Sequence, residues 1–166
     1  MSEIRFFPDP VLRQKARPVT AFDASLAQLV RKLEKIMRAQ KHGIGIAAPQ
    51  IGDGRAVALV DVSPRVPGAS LIVLVNPRIL EQGREILSRE GCMSLPDYTA
   101  DLKRYDSVTA RWQSADGREH ESKFQGIEAI CVQHEIDHLN GVLFLDRVAC
   151  LKTDMHSRTM NKHSRR

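Results

Sequence analysis

The sequence has 166 residues, 42% hydrophobic and 27% charged, with a formal net charge of +5. This length fits one globular domain with its own core, and the composition is neither that of a disordered chain nor that of a membrane protein. The basic residues are scattered and no basic stripe alternates with aromatics, which disfavours sequence-specific nucleic-acid binding and leaves weak attraction to anionic partners such as ribosomal RNA.

The start, MSEIRFFPDP, has no signal-peptide or transit character, and no apolar run approaches a bilayer span, so we expect a cytoplasmic protein with no membrane segment.

The first predicted element is an amphipathic helix over roughly residues 24–41. Asp23 is a suitable N-cap for the helix. Its apolar residues fall at helical spacing: Leu26, Leu29, Val30, Leu33, Ile36 and Met37. The following GIGIAAPQIGDG is too rich in Gly and Pro to remain helical.

Short β-type segments follow this loop. Two are rich in β-branched residues, AVALVDV (56–62) and LIVLVNP (71–77), and we expect Pro77 to close the second. ILEQGREIL suggests another strand pair around Gly83. SVTARWQ and REHESKF flank Asp116-Gly117, a strong hairpin signal.

A second helix is predicted in GIEAICVQHEIDHLNG, which Asn140-Gly141 would end. One broad face of it carries Ile127, Ile130, Cys131, His134 and His138. The order of helix, strands and helix predicts an α+β fold, with mostly antiparallel strands packed around the second helix. We expect one catalytic domain over residues 1–148 and a short basic C-terminal tail over 149–166.

The segment QHEIDH (133–138) carries the main chemical signal. Residues four apart lie on one helix face, so His134 and His138 can aim two imidazoles at one metal ion. Glu135 lies to the side, where it could reach a metal-bound water without coordinating the metal. A metal site would explain two histidines and a glutamate among apolar residues, because buried polar groups without partners are energetically costly.

The third ligand is not evident from the helix alone. The metzincin pattern would place a histidine where Phe144 stands, and no glutamate follows Glu135 to complete a thermolysin-like site. Asp146 and Asp154 remain open as ligands without a supporting motif.

The three cysteines, an odd and sparse set, argue against a disulfide framework and provide the other potential ligands. Cys131 shares the histidine face but lies about 10.5 Å along the axis from His138, which favours packing over coordination. Cys150 has no local signature. Cys92, in EGCMSLP after a probable strand, stands in a loop that could press a thiolate against the helix, so it is the favoured ligand.

Three motifs together resemble the peptide deformylase family: GIGIAAPQ (43–50), EGCMS (90–94) and QHEIDH (133–138), in the family's order and approximate spacing. The similarity covers residues from about 4 to 148. It implies that Cys92, His134 and His138 bind one divalent metal with a water in the fourth position. The implied physiological ion is Fe²⁺, for which Zn²⁺, Ni²⁺ or Co²⁺ can substitute.

The resemblance also implies a reaction, the removal of the formyl group from N-formylmethionyl peptides of newly made proteins with release of formate. A metal-bound water would attack the formyl carbonyl, with Glu135 as general base and then general acid. Gln50, through its side-chain amide, and Met93, through its backbone N–H, would stabilise the oxyanion.

Further positions are implied to bind or support the substrate and metal. Gly43 and Gly45 would lie along the substrate backbone, where glycine permits close approach. Ile44, Ile130 and Cys131 would form a pocket for the substrate methionine. Glu90 and Asp137 would orient the ligating imidazoles, and Arg104 is a candidate ion-pair partner.

The sequence departs from the family pattern in three places. Met93 replaces a more common Leu, a mild change in volume. Thr99 stands where some members have a substrate-contacting Arg. The tail is shorter than the basic helix that docks some members on the ribosome, which leaves at most a weak contact through RTMNKHSRR.

Two other functions are compatible with the helix motif alone. A metallopeptidase of internal peptide bonds would need a later Glu or His ligand. A non-catalytic protein with a structural metal would normally use four protein ligands, and only three good candidates are present.

Overall fold

The computed structural model describes residues 4–158. The first helix, α1, spans Ala24–Ala39, and the Asp23 side chain caps it by accepting a hydrogen bond from the backbone N–H of Leu26 at 3.1 Å. One face of α1 is buried through Leu26, Leu29, Leu33 and Met37. The predicted helix, its N-cap and its apolar face are therefore confirmed, with the end two residues earlier than expected.

Five strands form the larger sheet, in the order β1-β2-β3-β6-β7, and each neighbouring pair is antiparallel. These strands are β1 Gly45–Ala47, β2 Val57–Val60, β3 Ile72–Gln82, β6 Ser107–Gln113 and β7 Glu119–Gln125. Gly117, at φ 86°, occupies the turn between β6 and β7, which confirms the hairpin. The β1 strand is followed by a short 3-10 turn, Ala48–Ile51, so the Gly- and Pro-rich segment is non-α-helical as expected.

The prediction that Pro77 closes a strand is wrong, since β3 continues through it to Gln82. The pairing of β3 with β6 shifts register between Val75 and Arg78, and Asn76 has a φ of 51°. Such a bulge tolerates proline, because a residue inside it need not donate to the ladder. The Asn76 side chain anchors the bulge by bonding both the N–H and the carbonyl of Val19.

Three strands form the smaller antiparallel sheet, in the order β4-β5-β8. They are β4 Glu85–Cys92, β5 Leu95–Tyr105 and β8 Met155–Ser157. Strands do flank Gly83, but they do not pair with each other, because β3 pairs with β6 and β4 pairs with β5. Gly83 thus marks a crossing between sheets rather than a hairpin.

The second helix, α2, spans Gly126–Leu139 and lies at the centre of the fold. Ala129 and Val132 are fully buried in the same cluster as Val60 and Leu74 of the larger sheet. Gly141 follows the helix at φ 71°, where a side chain would also collide with the Arg13 carbonyl, so glycine is required there. The predicted α+β fold, with antiparallel strands around the HExxH helix, is confirmed.

The segment after residue 148 is structured up to the end of the described range. A short helix, α3, spans Leu151–Asp154, and β8 then pairs with β5. Residues 149–157 of the predicted tail thus pack on the smaller sheet, whereas residues 159–166, most of RTMNKHSRR, lie outside the described residues. Within residues 4–158, none of the helices is long and apolar enough to cross a bilayer.

Candidate metal centre

Three side chains from two elements converge beside the centre of α2. His134 and His138 project from one face of the helix, and Cys92 is the last residue of β4. Their ligand atoms all lie within 4.8 Å of one another. The Cys92 Sγ atom lies 3.3 Å from His138 Nε2, and the two imidazole rings are 4.9 Å apart between centroids. The predicted Cys/His/His metal-binding site is therefore present.

Cys92 reaches the helix from a strand end rather than from a free loop. The β4–β5 pairing shifts register between Gly91 and Cys92 before the tight turn into Leu95. Gly91 pairs with Thr99 and Cys92 pairs with Leu95, so β5 holds the backbone on both sides of the shift. The thiol is thus carried by a paired hairpin and not by the predicted loop.

The other metal ligands considered from the sequence make different contacts. The Cys131 thiol donates to the Ile44 carbonyl at 3.4 Å, and burial raises the pKa of this thiol. The Asp146 carboxylate accepts from the backbone of Leu143, and Asp154 accepts from the backbone of Cys150. Among the described residues, only the Cys92 cluster brings three metal-ligating side chains together.

The chemistry of this donor set suits a divalent transition metal. Burial by itself would raise the pKa of Cys92, but the neighbouring His138 and His134 outweigh it and hold that pKa well below its ordinary value. A thiolate with two imidazoles is a combination that binds Fe, Co, Ni and Zn ions. Three protein ligands, rather than four, are typical of catalytic sites that keep one position for water or substrate.

A buried ion-pair network lies behind the ligands. Glu90 Oε2 lies 3.7 Å from His134 Nδ1, and both Glu90 oxygens accept from Arg104 at 2.9 Å. The Arg104 guanidinium also donates to Asp137 at 2.6 Å, and Asp137 accepts from Arg147 at 2.5 and 2.6 Å. Burial would raise the pKa of Glu90, but His134 and Arg104 together lower it to about 2. The Glu90 carboxylate is therefore ionised at neutral pH.

Glu90 and Asp137, predicted to support the imidazoles, occupy different positions in this network. Glu90 lies directly beside His134. Asp137 bonds to Arg104 and Arg147, and its link to the metal site runs through Arg104. The Nδ1 atom of His138 is buried without a hydrogen-bond partner among the described residues.

Glu135 lies beside the ligands with only 3% of its surface exposed. Burial raises the pKa of its carboxyl to about 7, although His134 and His138 oppose the shift. Its Oε2 atom has no hydrogen-bond partner among the described residues. A methyl group at Gly45 would collide with this carboxylate and would lie 2.7 Å from the Cys131 sulfur, so the strand β1 can approach only with glycine there.

Gln50 is held by hydrogen bonds at both ends of its buried amide. Its oxygen accepts from the backbone N–H of Ala47 at 2.9 Å, and its nitrogen donates to the Ser94 hydroxyl at 3.1 Å. The same nitrogen lies 3.6 Å from the Cys92 sulfur. Ser94, which the sequence analysis did not single out, thus fixes the amide with its NH₂ group toward the metal ligand.

A cleft of about 430 Å³ opens over these groups. It lies between β1 and β4, each of which is an edge strand of its sheet in the described structure. Each predicted catalytic and substrate-binding residue lines it: Gly43, Ile44, Gly45, Gln50, Met93, Ile130, Cys131 and Glu135. The cleft also contains Arg65, Arg89 and Arg158, which sequence reasoning missed because no motif marks them.

Comparisons of this chain with known proteins all point to one protein family. The family model described as polypeptide deformylase matches residues 1–154. A peptide deformylase from Thermodesulfovibrio yellowstonii is 42% identical over 153 residues, which cover 92% of each chain.

Two solved structures extend this similarity to the fold. The crystal structure of peptide deformylase from Thermotoga maritima matches with a TM-score of 0.83 and 36% identity, covering 90% of this chain and 99% of that one. A class I type b peptide deformylase from Acinetobacter baumannii, bound to Met-Ala-Ser, matches with a TM-score of 0.80 and 36% identity. That match covers 87% of this chain and 96% of the other.

Proposed function

Because the chain belongs to the peptide deformylase family and is a peptide deformylase with a Cys/His/His metal site, we propose that it acts on N-formylmethionyl peptides of newly made proteins and releases formate. The observation that carries this proposal is the convergence of Cys92, His134 and His138 with Glu135 in one cleft. The A. baumannii relative bound to Met-Ala-Ser, a peptide that begins with methionine, supports the proposed substrate class.

The proposed physiological metal is Fe²⁺, with Zn²⁺, Ni²⁺ and Co²⁺ as substitutes. Cys92, His134 and His138 would hold the ion, which when bound acts as a Lewis acid that activates water for attack on the formyl carbonyl. Support comes from the mixed thiolate and imidazole donors, because this set binds several divalent transition metals.

Glu135 is the proposed general base and general acid. Its burial keeps the carboxyl pKa at about 7, near the pH at which a residue can both accept and donate a proton efficiently. The carboxylate would accept a proton from the attacking water and return it to the nitrogen of the leaving methionine. Because Oε2 has no described protein partner, it is free to make that contact.

Gln50 and the backbone N–H of Met93 are the proposed donors to the oxyanion. Ala47 and Ser94 already hold the Gln50 amide in place, so little reorganisation is needed when charge develops on the formyl oxygen. Met93 directly follows the metal ligand Cys92 and lines the same cleft.

The substrate backbone would lie extended between the edge strands β1 and β4. Unpaired edge strands offer backbone donors and acceptors to a peptide. Gly43 and Ile44, which precede β1, and Gly45, its first residue, would contact the peptide from the β1 side. Ile44, Ile130 and Cys131 would surround the methionine side chain, with Ile130 and Cys131 contributed by α2.

The roles of the remaining acidic residues and of the two chain segments are also proposals. Glu90 would orient His134, and Asp137 would act through Arg104 on Glu90. Residues 1–148 would form the catalytic domain, and the basic tail, residues 149–166, would add β8 to its smaller sheet and make a weak contact with the ribosome. A cytoplasmic location follows from the proposed substrate, since formylated chains emerge from ribosomes there.

Formate release from formyl-Met-Ala-Ser by anaerobically prepared, Fe²⁺-loaded protein tests the proposed function. An unformylated Met-Ala-Ser peptide, assayed for cleavage under the same conditions, is the matched control. We expect formate from the first peptide and no cleavage of the second. Cleavage of both peptides without formate would replace the proposal with a metallopeptidase.

A further inference from the structure

One arginine outside every recognised motif reaches into the metal-site cleft. Arg158, which directly follows β8, lines the cleft together with Gly91 and Cys92. Its guanidinium packs over the backbone of Gly91 so closely that a methyl group at position 91 would collide with Nη2. We propose that Arg158 determines specificity by binding a carboxylate of the peptide downstream of formylmethionine. This inference rests on the proposed function.

The backbone of Arg158 is fixed by the smaller sheet. Strand β8 pairs with β5, where Thr99 lies opposite His156, and the Arg158 N–H donates to the Asp97 carbonyl at 2.8 Å. The His156 ring nitrogen lies 2.8 Å from Asp101, whose carboxylate also binds Arg89 of β4. These contacts hold the start of the arginine side chain at the cleft and leave its exposed guanidinium available.

Among the described residues, the charges around the cleft leave this guanidinium without a counter-ion. Glu90 is already paired with Arg104, and Arg89 is paired with Asp101. Within residues 4–158, neither Arg158 nor Arg65, a third cleft arginine, forms an ion pair with a carboxylate. Arg158 and Arg65 therefore present positive charge to the cleft that no described carboxylate pairs with, and such charge attracts an anionic group of a ligand.

The geometry selects a carboxylate at short range from the formyl group. Gly91 is one residue from the metal ligand Cys92 and lines the same cleft as Arg158, so a peptide whose formyl group lies at the metal would have its next residues within reach of this guanidinium. A planar guanidinium can bind a carboxylate through two parallel N–H groups. In a peptide this group is either an acidic side chain just after methionine or the terminal carboxylate of a short peptide.

Two matched pairs of peptides test the inference and separate the two carboxylate sources. Formyl-Met-Ala-Ser is compared with its C-terminal amide, and formyl-Met-Asp-Ser-amide is compared with formyl-Met-Asn-Ser-amide. We expect the carboxylate member of at least one pair to have a kcat/KM about three- to fivefold higher at low salt, mainly through KM. The preference should decline at high salt because the pair is exposed to solvent.

Variants test whether Arg158 causes this preference for a carboxylate. Arg158→Gln should bring the ratio within the responding pair close to one, and Arg158→Glu should invert it. Arg118→Gln, in the exposed turn between β6 and β7, is the matched control and should keep the wild-type ratio. Equal rates within both pairs for the wild-type protein would overturn the inference, as would a preference that persists in Arg158→Gln. The inference would also be overturned if Arg65→Gln lost the preference while Arg158→Gln kept it.

The outcome distinguishes this inference from the proposed function. Formate release from every peptide without a carboxylate preference would remove the role of Arg158 and leave the deformylase reaction intact. No formate from any peptide would contradict the proposed function itself.

Discussion

The guanidinium of Arg104 and the carboxylate of Asp137 form a buried ion pair, with 2.6 Å between Nη1 and Oδ2. The Arg104 side chain is only 2% exposed, and its other N–H groups hold Glu90 behind the metal ligand His134. One arginine thus joins β5 to β4 and to the HExxH helix at the level of the metal site.

Removal of this arginine should be strongly destabilising. Arg104→Met would leave the buried Glu90 carboxylate without its arginine and Asp137 with Arg147 alone, and the loss of a buried ion-pair partner costs about 3–5 kcal/mol. We expect a drop of that order in the free energy of unfolding of the metal-free protein, measured by denaturant titration.

An exposed arginine provides the control for this change. Arg111 pairs with Glu121 on the sheet surface, where both side chains are at least 40% exposed, so Arg111→Met should cost less than about 1 kcal/mol. Similar losses in the two variants would show that burial of the Arg104 network adds nothing to stability.

The Glu135→Gln variant tests the general base. Because Gln cannot accept the proton, we expect kcat to fall by about 10²–10⁴-fold while metal content stays at the wild-type level. Glu128→Gln, one turn or more earlier on the same helix, should not change kcat. Near-wild-type turnover by Glu135→Gln would contradict the assigned role.

Substitution of each of the two buried cysteines distinguishes metal coordination from side-chain packing. Cys92→Ala removes a thiolate from the ligand set, so we expect the bound metal per chain to fall well below that of the wild-type protein in elemental analysis. Cys131→Ala should retain the metal, because its thiol contacts the Ile44 carbonyl and does not belong to the ligand cluster. Equal metal content in both variants would remove Cys92 from the site.

Gly45→Ala tests the close approach of β1 to Glu135. The added methyl group would collide with the Glu135 carboxylate, so either the strand or the base must move, and we expect kcat to fall at least tenfold. Gly54→Ala is the matched control, since the nearest atom to its methyl group would be Arg17 Nη2 at 3.5 Å. Full activity of Gly45→Ala would show that the cleft adapts without loss of geometry.

Local sequence patterns predicted the two long helices, α1 and α2, and the residues of the metal site, but not the short helix α3. Hydrophobic spacing gave α1, the i, i+4 relation gave His134 and His138, and the motif around Cys92 supplied the third ligand. These signals lie within short segments or within motifs whose order is visible in the chain.

Long-range contacts account for what the sequence did not predict. Arg104 was a candidate ion-pair partner, but its partners Glu90 and Asp137 lie 14 and 33 residues away in sequence, and nothing in its own segment indicates burial. Strand β8 has three residues, and its pairing with β5 brings Arg158 to the cleft only in the folded chain. Pro77 was taken as a strand end because the bulge that accommodates it depends on pairing with β6.

The low pKa of Glu90 predicts how the free energy of unfolding changes at acidic pH. Although burial opposes it, His134 and Arg104 lower this pKa to about 2 in the folded protein, from an ordinary value of 4.5. A lowered folded-state pKa stabilises the protein above the unfolded value and loses that contribution as the pH falls toward the folded value. The ionised Glu90 should therefore contribute at pH 6 and progressively less between about pH 4.5 and 2, with a total of roughly 3 kcal/mol.

Comparison with Glu90→Gln isolates this contribution. In metal-free protein, the wild type should unfold with a higher free energy than the variant at pH 6, and the difference should shrink as the pH is lowered to 3. Denaturant titrations at both pH values measure it, with Glu121→Gln on the exposed surface as a control whose difference stays near zero. A gap that remains constant from pH 6 to 3 would mean that the Glu90 carboxylate is not stabilised by His134 and Arg104 in the folded state.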